Sequence, residues 1–276
     1  MKKLGIVVAL VLFTGAVWGL LRTKPDDIKI EKLILTGSST LAPLASEIGK
    51  RFESLHSNVR VDVQTGGSSR GISDARAGLA DIGMASRALK DDEKDLQSFT
   101  IALDGISVIL NKANPVVALN KQQVIDIYTG KILNWKDIGG NDAPITVVNK
   151  AEGRSTLELF LPYFGLKNTD VKPQVIIGDN QQGIKTVVGN PDAIGYVSVG
   201  TAEYEASQGA AIKLLPLEGI AASIENVRNR SFPLSRPLNL VTRTEPVGLA
   251  KDFIEFARSQ QVNDLIEAQY FVPVPH

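Results

Sequence analysis

The 276-residue chain has no cysteine and only two histidines, His56 and the terminal His276. Disulfide frameworks and cysteine-ligated metal sites are excluded, and a Ser-His-Asp or multi-histidine zinc centre would have to be built around His56 alone. Internal repeats and low-complexity tracts are absent. So is net charge, with 30 basic residues against 30 acidic ones. At 43% hydrophobic and 22% charged, the composition is that of a globular chain with a well-filled core, which excludes wholesale disorder and a polytopic membrane protein. The zero balance hides an asymmetry: Lys2, Lys3, Arg22 and Lys24 lie in a stretch without acids, so the remaining chain is net acidic. Such a surface excludes general nucleic-acid binding.

Residues 1–24 read as a signal peptide or an N-terminal membrane anchor. Two lysines precede an apolar run from Leu4 to Leu21, the length at which a secretory signal and a spanning helix converge. Either reading predicts a periplasmic or extracytoplasmic protein, tethered to the inner membrane if the run is uncleaved and released if cleavage follows Gly19. No cysteine is present to carry a lipid.

Past the leader, short β-rich runs alternate with amphipathic stretches, the pattern of an α/β architecture with mostly parallel sheets flanked by helices. The periodicities predict a strand at Leu33–Leu35, a helix over 41–55, a strand over 59–63, a helix over 70–77 and a strand over 82–85. A charged helix over 90–96 and a long strand from Ile101 to Leu110 follow, with Gly105 as its hinge. A second set comprises a helix near 122–128, a strand over 145–148, a helix over 155–164, a strand over 175–177, a helix over 181–188 and a strand over 193–198. A strand over 238–241 and two terminal helices complete it. The implied organisation is two lobes, each with its own sheet: residues 28–106 plus 238–276, and residues 107–237, joined by two crossings.

Three strand-to-helix junctions carry the chemistry: Thr36-Gly-Ser-Ser-Thr40, Thr65-Gly-Gly-Ser-Ser-Arg-Gly71 and Glu152-Gly-Arg-Ser-Thr156. Singly, each reads as an ordinary N-cap. Together they offer backbone N–H groups, hydroxyls and the positive ends of three helices, which is an anion site. Neither nucleotide-loop glycine pattern is present at these junctions. Trp135 and Tyr128 read as packing residues, His56 as a helix cap or surface residue, and Lys90–Asp95 as a solvated face.

With Ala80-Asp-Ile-Gly-Met-Ala-Ser-Arg87, Lys150-Ala-Glu-Gly-Arg-Ser-Thr156 and Asn190-Pro-Asp-Ala-Ile-Gly-Tyr-Val197, the ordered motifs resemble those of the phosphate-binding proteins of ABC importers across residues 30–276. The resemblance implies a two-lobed type II periplasmic-binding fold that catches inorganic phosphate between its lobes and delivers it to ABC permease and ATPase subunits. It implies no catalysis and no cofactor, and a monomer. It places Ser39, Thr40 and Leu41 of the first turn, Ser68 of the second and the turn at 153–156, with Ser155 and Thr156, around the anion. Where many relatives carry an aspartate after Ala-Ser, this chain has Arg87; where they carry an arginine opening the third motif, it has Lys150, with a guanidinium displaced onto Arg154. Counting Arg87, Lys150 and Arg154 as donors predicts preference for a dianion and weak rejection of sulfate. Other tetrahedral oxyanions, a tethered phosphate sensor and a phosphatase-like enzyme stand as alternatives.

Overall fold

The computed structural model describes residues 30–275; the predicted leader lies outside them. Strand β1 (Glu31–Gly37) buries Leu33 and Leu35, alternate side chains on one face. In α1 (Ala42–Leu55), Pro43 occupies the first turn, where a missing N–H costs nothing, and Leu44, Ala45, Ile48 and Phe52 form one apolar stripe. The helix ends at His56, whose Nδ1 lies 2.9 Å from the Phe52 carbonyl and whose ring stacks on Phe52. Then come β2 (Val59–Thr65), α2 (Ser68–Ala77) and β3 (Ile82–Ala85), the last parallel to β1. The expected helix over 90–96 is only a short 3-10 turn at Asp91–Glu93, because Glu93 turns inward to an ion pair instead of facing solvent.

Strand β4 (Gln97–Asn111) is the longest element and belongs to both halves of the molecule. Beyond it lie α3 (Lys121–Tyr128), β5 (Thr146–Lys150), α4 (Ser155–Phe164), β6 (Val175–Ile177), α5 (Asn180–Gly189) and β7 (Ala193–Ser198). Three elements follow that the periodicities did not predict: α6 (Val199–Ser207), β8 (Ile212–Leu214) and α7 (Ile224–Arg228). They are short, and α6 starts without a loop, capped by Ser198 at the very end of β7. The chain closes with β9 (Ser235–Thr242), α8 (Gly248–Ala257), α9 (Asn263–Ala268) and β10 (Val272–Pro273).

The strands form one continuous path, β2-β1-β3-β9-β4-β7-β5-β6, with β8 and β10 also paired to β4, where the sequence suggested two separate sheets. Parallel pairings occur at β1–β3, β5–β6 and β5–β7, while β4 and β9 contribute antiparallel ladders, so the sheet is mixed. The junction falls inside β4. Through Gly105 it pairs with β9, and from Ile106 it pairs with β7. On one side a core forms around Leu35, Ile48, Phe52, Leu240 and Phe253; on the other, cores form around Trp135, Phe160 and Tyr196 and around Ile109, Val148 and Ile184. These are the two lobes. Strand β9 starts pairing with β4 at Ser235, three residues before the return strand expected over 238–241. At the carboxyl end, Phe271 joins the first core and Val272 the second.

Candidate anion-binding site

The three Ser/Thr junctions converge. Ser38, Ser39, Thr40, Gly67, Ser68, Arg154, Ser155 and Thr156 line one small pocket between the lobes. Gly37 and Gly67 permit the approach. Gly37 has φ +132°, and a Cβ there would lie 2.3 Å from the Met84 carbonyl oxygen; Gly67 has φ +96°, and its Cβ would lie 2.6 Å from the Gly153 carbonyl oxygen of the opposite lobe. Helices α2 and α4 start at this pocket with no side chain capping them, and in the first turn of α2 the Ser69 N–H donates to the Gly153 carbonyl at 3.2 Å.

The hydroxyls are oriented from behind. Ser68 Oγ accepts the Ser86 N–H at 3.1 Å, and Thr40 Oγ1 accepts Asn180 Nδ2 at 3.0 Å. Arg236 Nη1 lies 3.3 Å from Ser155 Oγ and 3.4 Å from Thr156 Oγ1, and its Nη2 lies 3.4 Å from Thr40 Oγ1. A hydroxyl that accepts on its buried side has its own proton left for the pocket. Arg236 is held by Asp104 Oδ2, at 3.1 Å from Nε and 2.8 Å from Nη2, and Asp104 Oδ1 accepts Ser198 Oγ and the Gly200 N–H. Asp104 and Arg236 are register partners on β4 and β9, both buried, so a positive charge sits fixed behind the hydroxyls.

Among the described residues, three buried side-chain atoms lack a hydrogen-bond partner: Thr36 Oγ1, Asn263 Oδ1 and Arg154 Nε. Arg154 alone of these residues lines the pocket. An orphaned buried donor is costly, and an anion beside it would remove the cost. Among the described residues, no carboxylate lines the pocket.

Of the residues singled out from sequence, Ser39, Thr40, Ser68, Arg154, Ser155 and Thr156 meet here. Leu41 does not line the pocket: its side chain is in the core and its N–H points to Ser38 Oγ at 3.2 Å, as does that of Thr40. Lys150 is also set back. Its Nζ donates to the Asp179 carbonyl at 2.7 Å and to Asn180 Oδ1 at 3.1 Å, and burial pushes its pKa down to about 7. Arg87 is turned away altogether. It grips Glu93 through Nη1 and Nη2 at 2.6 and 2.9 Å, and Glu158 through Nε at 2.5 Å, so two carboxylates claim the donors assigned to the anion. Burial would raise both acids, but the bonds from Arg87, with the Lys90 N–H on Glu93 and Ser69 on Glu158, hold them below the usual carboxylate range. Glu152, the acid that opens the third turn, accepts Asn168 Nδ2 at the surface.

Arg236 and Asp104 were missed. Their signal was present: one charge of each sign inside apolar runs, Leu103-Asp-Gly-Ile106 and Leu234-Ser-Arg-Pro-Leu238. A lone charge in a buried strand needs a partner, and each was the other's.

Fold and pocket together define a two-lobed α/β protein with a hydroxyl-lined pocket between its lobes. Residues 23–261 match the family model described as PBP superfamily domain, and the chain belongs to that family. Among solved structures, a Clostridium perfringens phosphate ABC transporter substrate-binding protein with bound phosphate superposes with TM-score 0.82 at 35% identity, covering 89% of this chain and all of that one. An ABC-type phosphate transport receptor from Vibrio cholerae gives TM-score 0.71 at 31% identity over 89% of this chain and all of its own. The Bacillus subtilis phosphate-binding protein PstS is 27% identical, covering 91% of this chain and 83% of its own length.

Proposed function

We propose that this protein captures inorganic phosphate between its lobes outside the cytoplasm and delivers it to an ABC permease, acting by binding and release as a monomer. The observation that carries the reading is a pocket lined by six hydroxyl residues and Arg154, with no carboxylate, in which the buried Arg236 and Asn180 aim the hydroxyl protons inward. The names of the similar proteins support it. Lobe closure about β4 at Gly105 and the entry of β9 would bring α2 and α4 onto one anion, each helix end contributing roughly 0.3–1 kcal/mol.

A site made of donors favours the fully deprotonated oxyanion. Affinity for phosphate should therefore rise with pH until the dianion dominates, and sulfate should compete measurably. Calorimetric titration with phosphate, sulfate, molybdate and tungstate at two pH values checks this. Tighter phosphate binding at the lower pH with complete rejection of sulfate would reveal an acceptor in the pocket and sink the donor-only reading. In the same assay Arg154→Ala should lose roughly ten- to a hundredfold in affinity. Arg70→Ala should lose little, because Arg70 is half-exposed and paired with Asp74.

A further inference from the structure

We propose that Glu158 is a closure clasp: a carboxylate of the second lobe, outside the anion pocket, that Ser69, Arg87 and Lys90 of the first lobe grip when the lobes are shut. It thereby sets how long phosphate stays bound. This rests on the closing-cleft reading above and adds a positioning residue to it.

Every hydrogen-bond partner of the Glu158 carboxylate comes from the other lobe. Oε1 accepts Ser69 Oγ at 2.7 Å and Lys90 Nζ at 3.1 Å, and Oε2 accepts Arg87 Nε at 2.5 Å. Ser69 follows Ser68 in the second anion turn, and Glu158 lies on α4 one turn from Ser155 and Thr156. The clasp thus ties together the two helix ends that an anion would bridge. The Ser69 N–H also donates to the Gly153 carbonyl at 3.2 Å beside it.

Both ends tolerate opening, and this separates a clasp from a structural pair. Arg87 is nearly fully buried, yet Glu93 of its own lobe holds it bidentately and its carbonyl accepts Asn239 Nδ2 at 2.8 Å, so it keeps a counter-ion and its place when Glu158 leaves. Glu158 is 17% exposed on its side chain and passes into water. Asp104–Arg236 differs, since both partners lie within one β4–β9 ladder and have no solvated alternative. A contact made only in the closed state shifts the equilibrium toward it whether or not ligand is present, and ligand affinity rises by the same coupling.

The absence of cysteine lets spin labels be placed singly, through Leu55→Cys in the first lobe and Leu133→Cys in the second, both at exposed positions. Inter-lobe distances are then followed across a phosphate titration for the otherwise wild-type chain, Glu158→Gln and Ser69→Ala. Stopped-flow rates are measured alongside. Glu158→Gln keeps the volume and removes the charge. It should need roughly tenfold more phosphate to reach the closed distance, with the off-rate raised by a similar factor and the on-rate within about twofold. Ser69→Ala should shift the same way by less.

Equal midpoints and off-rates in all three proteins would overturn the clasp. So would weaker binding by Glu158→Gln with an unchanged relation between occupancy and closure, which would put Glu158 on the ligand itself. Failure of the phosphate reading looks different: the wild-type chain would then show no phosphate-dependent heat or closure, and the clasp would be judged on the ligand-free distances, where wild type must be more closed than Glu158→Gln.

Discussion

Lys150 shows at the level of one residue how a cation can serve an anion site without touching it. It stands behind Asn180, donating to its Oδ1, and Asn180 in turn donates to Thr40 Oγ1 across the cleft. The ammonium is buried, and burial brings its pKa from 10.5 to about 7, with Arg236 and Arg154 opposing its charge and Asp179 favouring it. Between those two values the unfolded chain carries a proton that the ligand-free folded chain has released. Stability therefore rises with pH over that window, by up to about 1.4 kcal/mol per pH unit, and the burial penalty is fully present below it. Denaturant unfolding of ligand-free protein from pH 6 to 10 should show this slope, and Lys150→Met should lose it. Identical slopes in both proteins would mean that Lys150 does not titrate there.

At the scale of elements, β4 and β9 do two things at once. Their ladder pairs Gln97–Gly105 with Ser235–Thr242, and its Asp104–Arg236 register pair sets a guanidinium behind the pocket's hydroxyls. Removing one partner strands the other in the interior. Arg236→Met alone should cost about 3–5 kcal/mol in urea unfolding. Adding Asp104→Asn should restore part of that stability, because no buried charge is then left unpaired. Phosphate affinity should stay low in both variants, since nothing then orients Ser155, Thr156 and Thr40. Recovery of binding together with stability would show that Arg236 serves folding alone. Helix α4 has a similar double duty: Phe160 stacks on Tyr196 at 3.8 Å between centroids and anchors the helix that presents Ser155, Thr156 and Glu158.

For the whole molecule, the distribution of contacts sets what can move. Within each lobe the cores are apolar, whereas the surfaces that meet around the pocket are joined by hydroxyls, backbone groups, the Asn180 amide, the Arg236 guanidinium and the Glu158 carboxylate. Polar contacts of that kind exchange with water at little net cost, and packed cores do not. Saturating phosphate should therefore shrink the radius of gyration measured by small-angle scattering, with α-helical content unchanged. An unchanged radius in a sample that binds phosphate would count against motion between the lobes. Among the described residues no helix is long and apolar enough to cross a membrane.

The sequence by itself determined the α/β class, the helix at Ser155–Phe164 and the strand at Ala193–Ser198, and it singled out the three Ser/Thr turns that meet at one pocket. These are local properties: a hydrophobic period, a Gly-Ser cap and a strand that ends in a turn specify themselves within a few residues. Only the tertiary structure decided which cations serve that site. Arg87 reads as a donor in its motif, but two carboxylates, one six residues on and one 71 residues away, claimed it first. Arg236 lies ahead of the strand expected over 238–241, yet register with Asp104, 132 residues distant, carries it behind the hydroxyls of the pocket. Charges act through space and compete for partners, so their assignment follows from the folded arrangement, not from neighbours along the chain. The same holds for the sheet, where pairing through β4 joined what two local patterns left separate.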